Sequence, residues 1–328
     1  VRPVVPLAEA RTNAPQISFD ALPEPPFLGA REVSVELSEL VPYIDWTFFF
    51  TAWELKGRFP QILEHPQYGK AARELYEAGK ALLDRLVAGG SLRARGAYGF
   101  WPAASEGEDI VLFTDEARGA ELARFPMLRQ QQQKTESGEG RAHLSLGDYV
   151  APRASGKADH VGAFAVTAGL GLDDVVARFQ AEHDDYHAIM AKALADRLAE
   201  AFAELLHERV RRAWYAPDER LTNEQRIAEE YRGVRPAFGY PACPDHTPKR
   251  TLFRILDAER QGMSLTSSLA MVPAASVSGL YLAHPDARYF NVGKIGRDQV
   301  EDYARRSGMD VAEVERWLAT SLGYEPAR

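Results

Sequence analysis

The stretch DDVVARFQAEHDDYHAIMAKALADRLAEAFAELLHERVRRAW, residues 173–214, decides the reading of the fold. Val175, Phe179, Tyr186, Met190, Leu194, Leu198, Phe202, Leu206, Val210 and Trp214 return mostly every fourth residue. That spacing predicts one long amphipathic helix with a single face in the core. Asp173 or Asp174 can cap it. Residues 66–88 carry a second helical pattern in Ala71, Leu75, Leu82, Leu83 and Leu86, stopped by Gly89-Gly90. Further helical stretches begin at Thr222, run from Lys249 to Arg260, and close the chain over 297–319. Strand signals lie between them. Val33, Val35 and Leu37 alternate with Ser34, Glu36 and Ser38, and short apolar runs occupy 97–101, 109–113 and 160–166. Lys134 to Arg141 reads as a polar loop. Strands and helices do not alternate as βαβ units. The fold class is therefore α+β: one large domain with a mainly antiparallel twisted sheet and long flanking helices.

Composition narrows the function classes. Of 328 residues, 45% are hydrophobic and 26% charged, which excludes a mainly disordered chain. The net charge of −8 argues against a nucleic-acid partner, because phosphate neutralisation needs a basic face. No apolar run approaches the ~18–20 residues of a membrane helix, and nothing at the start reads as a signal peptide. The lone Cys243 forbids an internal disulfide and fits a reducing cytoplasm. The chain opens Val1-Arg2-Pro3-Val4-Val5-Pro6, and Pro recurs through Pro15, Pro23, Pro25 and Pro26. This reads as an extended linker in a piece of a longer protein, or as a flexible N-terminal arm. Order is expected to begin near Val33.

Several segments carry candidate chemistry. His183 and His187 stand at i and i+4 of the long helix, a spacing that can clamp a metal, yet no third ligand is evident. Cys243-Pro244-Asp245-His246 resembles a metal half-site or a thiol–imidazole pair, between prolines that favour a rigid turn. A glycine loop for phosphates and a nucleophile elbow are both missing. The most unusual segment is Arg235-Pro236-Ala237-Phe238-Gly239-Tyr240-Pro241-Ala242-Cys243-Pro244-Asp245-His246. Its prolines stiffen the backbone, and Arg235 at its start can grip a carboxylate through two parallel hydrogen bonds, or be a solvated surface Arg. A turn at His284-Pro285-Asp286 delivers Tyr289 and Phe290, as core or as the wall of a planar-ligand site. A stand-alone metalloenzyme on His183/His187 or Cys243/His246, and a ligand-free docking module, stay open at this point.

These segments, in this order, resemble the C-terminal reactivation domain of cobalamin-dependent methionine synthase. The likeness rests on Tyr43-Ile44-Asp45-Trp46-Thr47, on Ser155-Gly156-Lys157-Ala158-Asp159 with Gly162 to Thr167, and on His183 to Tyr186. It continues through Ala193 to Glu204, the Arg235–His246 loop, the His284–Phe290 turn and Arg297 to Arg306. Matches run from about residue 33 to 324. Residues 1–32 resemble the linker from a preceding cobalamin-binding domain, which leaves 33–328 as the S-adenosylmethionine-binding activation domain.

The resemblance implies reactivation of a methyltransferase that moves methyl from methyltetrahydrofolate to homocysteine to make methionine. Inactive cob(II)alamin, presented by the preceding domain, is reduced by flavodoxin or an equivalent reductase and remethylated from S-adenosylmethionine. Zinc is implied only for the parent's homocysteine domain. Arg235 would bind the ligand carboxylate and Asp45 its ammonium. Glu200 and Glu229 would add negative potential near the sulfonium. Ala237, Tyr289 and Phe290 would hold the adenosine end, and Tyr240 would line the site. Gly239 would leave room for the ligand, while Phe238, where a smaller residue or Pro is expected, would alter the adenosine pocket. No residue would act as acid, base or nucleophile, and the fragment alone would bind without turning over.

Overall fold

The structure, a computed structural model, describes residues 3–134 and 142–326. Apart from Lys134, the polar loop expected over 134–141 lies outside the described residues. In chain order the elements begin with α1 (Leu7–Thr12), β1 (Gly29–Val35), α2 (Leu37–Leu40), α3 (Gly69–Gly89), β2 (Arg93–Glu106), β3 (Asp109–Phe113), β4 (Glu121–Phe125) and β5 (Asp159–Leu170). They continue with α4 (Leu172–Ala181), α5 (Asp185–Trp214), α6 (Asn223–Ile227), α7 (Lys249–Leu256), β6 (Ser264–Leu265), β7 (Met271–Val272), β8 (Ser276–Tyr281), α8 (Arg297–Ser307) and α9 (Val311–Trp317).

β2 is the spine of an antiparallel sheet ordered β4-β3-β2-β5-β8. One edge of β2 pairs with β5, while β1 and β3 share the other, at Ala94–Phe100 and Ala103–Glu106 respectively. Pro102 falls between those two partners, where a missing N–H is tolerated. Gly99 lets β1 come close: a Cβ there would stand 2.3 Å from the carbonyl oxygen of Gly29. The period-2 alternation of strands then builds two cores. Phe164, Val166 and Ala168 of β5 pack with Phe100 beneath α3, α4 and α5. Val161, Ala163 and Ala165 face the other way, with Trp101 and the Leu252 and Phe253 side chains of α7. A third, smaller core joins Leu128 to α8 and α9. With both faces covered, β5 is buried along almost its whole length, and this erases the alternating polar pattern expected of a solvated sheet.

The expected helix over 173–214 is two helices. Phe179 to Asp184 close α4 with a Schellman turn: the His183 N–H donates to Gln180 O and the Asp184 N–H to Phe179 O. His183 takes the left-handed position, at φ 58°, and Asp184 then caps α5 through the His187 N–H. Met190, Leu194, Leu198, Phe202, Leu206, Val210 and Trp214 are buried as the spacing predicts, but Tyr186 is exposed. The closing stretch is likewise two helices, α8 and α9, separated at Gly308 with φ 69°. No helix among the described residues is long and apolar enough to cross a membrane.

Order begins before Val33. The Val5 N–H donates to Gln131 O, α1 buries Leu7 and Ala10, and Arg11 reaches both Glu108 (2.7 Å) and Asp302 (2.8 Å). The arm binds because its few apolar and cationic groups find partners distant in sequence, which composition does not reveal. Glu108 is almost wholly buried and also accepts from Arg129, whose guanidinium pairs with Asp148. Burial opposes the Glu108 charge, but hydrogen bonds from Arg11 and Arg129 win and hold its pKa down at about 2, from an ordinary 4.5. A depressed carboxylate stabilises the fold fully above its ordinary pKa and loses that contribution as pH falls toward the folded value. Replacing Glu108 by Ala is expected to cost about 3–5 kcal/mol, because two guanidiniums lose their shared partner. Urea unfolding at pH 7 measures this. The difference from the parent protein should shrink as pH falls from about 4.5 toward 2.

Candidate functional site

A cleft of about 770 Å³ opens between α5, α6, the segment from Tyr43 to Phe48, the loop after Val234 and the residues following the His284 turn. That volume suits a small organic ligand. Asp45, Glu200, Glu229, Arg235, Ala237, Tyr240, Tyr289 and Phe290 all line it. Residues more than 240 positions apart in the chain thus meet at one place.

Backbone pairing explains the loop. Val234 and Leu282 exchange both N–H···O bonds at 3.0 Å, and the Leu280 N–H donates to Pro236 O at 2.9 Å. Residues 234–236 therefore run as an extension of the sheet beside β8, and side chains alternate along them. Val234 and Phe238 enter the core under α7, and Arg235 and Ala237 turn to the cleft. Phe238 stacks on Phe125 with ring centroids 5.5 Å apart and does not line the cleft, so the expected effect on the pocket is absent. Gly239 also stands outside the lining. Its φ of 95° and the His246 ring require glycine, since a Cβ would lie 2.1 Å from His246 Cε1. The imidazole by itself requires glycine there.

Arg235 is the cationic centre of the cleft. Its Nη2 donates to Glu204 Oε2 at 2.9 Å, and its backbone N–H donates to the Tyr289 hydroxyl at 3.0 Å. Burial disfavours the charged guanidinium, yet Glu204 and the neighbouring Tyr289, Tyr231 and Glu200 outweigh this and raise its pKa. Tyr231 and Tyr289 place their hydroxyls 3.2 Å apart. Burial raises both phenols, so they stay protonated. Burial also raises the Glu229 carboxyl, with Arg235 pulling it down and Glu204 pushing it up. Asp45 caps the helical turn Trp46–Trp53 by accepting from the Thr47 N–H at 2.9 Å. The cleft lining holds four carboxylates (Asp45, Glu200, Glu204, Glu229) against three guanidiniums (Arg197, Arg226, Arg235). That balance favours a ligand of net positive charge.

Glu204, Arg197, Arg226, Phe48 and Tyr231 were not expected in the site. For Glu204 the signal was in the sequence: Glu200, Glu204, His207 and Arg211 form a polar stripe at i, i+4, i+7 and i+11 of an otherwise core helix. Arg226 stacks over the Tyr43 ring at 4.5 Å and pairs with Glu208 at 2.6 Å, tying α6 to α5.

The other candidates fall outside the cleft. His183 lies in the break before α5, so it and His187 do not share a helical face as their spacing suggested; His187 Nδ1 pairs with Asp184 at 2.7 Å. The Cys243 thiol donates to Ala237 O, and burial pushes its pKa up, away from the thiolate a nucleophile needs. His246 Nδ1 lies 2.9 Å from Lys249 Nζ. Among the described residues no three His, Cys, Asp or Glu groups converge as a metal would require.

Comparison with known proteins assigns the family. The family model for the activation domain of vitamin B12 dependent methionine synthase matches residues 36–308. The crystal structure of the MetH reactivation domain bound to AdoHcy is 51% identical in sequence and superposes with a TM-score of 0.94. The alignment covers 98% of this chain and 100% of that one. The chain belongs to the family of vitamin B12-dependent methionine synthase activation domains.

Proposed function

We propose that the cleft binds S-adenosylmethionine and holds it for reactivation of the parent methyltransferase. The observation that carries this is Arg235, turned into an acidic cleft in a chain 51% identical, over 98% of its length, to a domain bound to AdoHcy. S-adenosylmethionine has one carboxylate and two cationic groups, so its net charge of about +1 complements four carboxylates facing three guanidiniums. It supplies a methyl group already activated by a positive sulfur, for transfer to cobalamin reduced by flavodoxin or an equivalent reductase.

The side chains bind and orient. Arg235 meets the ligand carboxylate with the donors that Glu204 does not use, and Asp45 meets the ammonium. Glu200 and Glu229 stabilise the sulfonium end. The Pro236–Ala237 backbone, Tyr289 and Phe290 hold the adenosine, and Tyr240 closes one side. No acid, base or nucleophile is needed, because alignment and water exclusion are the protein's contribution. The N-terminal arm, whose α1 and β1 pack into this domain, leads from a preceding cobalamin-binding domain of the parent chain. Zinc belongs only to the parent's homocysteine domain. The lone Cys243 supports a cytoplasmic setting.

Isothermal titration with S-adenosylmethionine tests the reading. Binding is expected in the presence of a chelator, and Arg235→Ala should weaken it by about 2 kcal/mol, roughly 30-fold. Equal affinity of the two proteins would remove Arg235 from the carboxylate, and loss of binding on chelation would favour a metal site instead. The chain alone should turn nothing over. Adding a cobalamin-binding domain and a reductant should give methyl transfer, measured by methylcobalamin absorbance.

A further inference from the structure

From Arg235 and Glu204 in the cleft, a group of charged side chains continues to Arg211 and Glu219, which do not line it. Arg211 has no exposed side-chain surface, and its Nε donates to Glu219 at 2.6 Å. Its Nη1 stands 3.8 Å from Glu204 Oε1, and its guanidinium lies over the Tyr231 ring at 4.5 Å. Glu204 therefore sits between two guanidiniums, with Oε2 on Arg235 and Oε1 facing Arg211. The order Glu219, Arg211, Glu204, Arg235 alternates in sign and is neutral as a set. His207, wholly buried alongside, stacks on Tyr281 and cannot replace either partner as a cation, because burial and the two arginines keep it neutral.

We infer that Glu204 is the positioning residue for ligand recognition: held beside the buried Arg211 cation, it fixes the Arg235 guanidinium so that the unpaired edge meets the ligand carboxylate. The anchoring is directional. Glu219 holds Arg211 by a hydrogen bond, the Arg211 cation faces Glu204 at 3.8 Å without hydrogen-bonding it, and Glu204 takes one Nη of Arg235. The second tether on Arg235 is its own backbone N–H on Tyr289. The Glu204 bond holds the guanidinium and the Tyr289 bond holds the backbone that carries it, so less entropy is lost when a carboxylate binds in the forked geometry. Without Glu204, the part-buried Arg235 would face the buried Arg211 cation with no carboxylate between them and would swing away from it. The inference rests on the S-adenosylmethionine reading above.

A role through Arg235 confines the effect of Glu204 to ligands with an amino-acid tail. Titration of the full chain with S-adenosylhomocysteine and with 5′-methylthioadenosine, which lacks the tail, separates this from a structural role. Glu204→Gln should weaken S-adenosylhomocysteine at least tenfold and leave 5′-methylthioadenosine within about twofold. Equal weakening of both ligands, or no weakening of either, overturns the inference. Glu204→Asp keeps the charge on a shorter stem and guards against a variant that does not fold. It should lose S-adenosylhomocysteine about threefold, again sparing 5′-methylthioadenosine, and full retention by this variant would equally overturn the inference. If the parent protein itself binds neither ligand, the underlying reading fails rather than this refinement of it.

Discussion

The backbone pairing of Val234–Pro236 with Leu280–Leu282 sets the side of the sheet to which each loop residue belongs. Strand geometry allows only two faces, so a one-residue slip would exchange Arg235 with Val234 or Pro236. That slip would bury a guanidinium in the apolar core under α7 and expose Val234, and the cost of an unpaired buried charge forbids it. Gly279 makes the approach possible, since a Cβ there would lie 2.4 Å from Pro236 O. The site therefore inherits its register from the hydrophobic core on the opposite face.

The same economy governs α5. Its apolar residues cover the sheet, while Glu200 and Glu204 turn to the cleft and His207 and Arg211 are buried beneath it. A helix that packs a sheet on one side can still carry charge on another, provided the charges meet partners. Here Arg211 finds Glu219, Glu204 finds Arg235, and Arg226 from α6 finds Glu208. In a low-dielectric setting such alternation is needed as much for tolerance of the charges as for function, because removing one member leaves another unpaired.

Much of this was legible from the residues. The apolar period of 185–214, the helix before Gly90 and the strands at 97–101 and 109–113 all appear where the patterns put them. Eight of the nine expected site residues line one cleft, with Gly239 outside it. What was not legible depended on partners far along the chain. The break at His183 uses a left-handed conformation that a non-glycine side chain seldom adopts, so periodicity ran through it. β4 was missed because Glu121, Ala123 and Arg124 make a weak strand pattern whose pairing with β3 supplies the stability. Phe238 and Gly239 were tied to the ligand, although their reasons are the Phe125 and His246 rings.

The N-terminal arm shows how such distant partners bear on the site. Ser18 O accepts from His284 Nε2 at 2.8 Å, and Phe19 meets the same imidazole edge-on at 5.1 Å. The Asp286 N–H donates to His284 Nδ1, so both ring nitrogens have partners. Further along, Pro23 O accepts from Trp214 Nε1 at the C-terminal end of α5. The arm thus touches the turn that delivers Tyr289 and the end of the helix that delivers Glu204. Those two residues are the two tethers on Arg235. Packing far from the cleft thereby restrains both the backbone and the guanidinium of the one residue on which recognition turns, and restraint set at folding lowers the ordering cost met on binding.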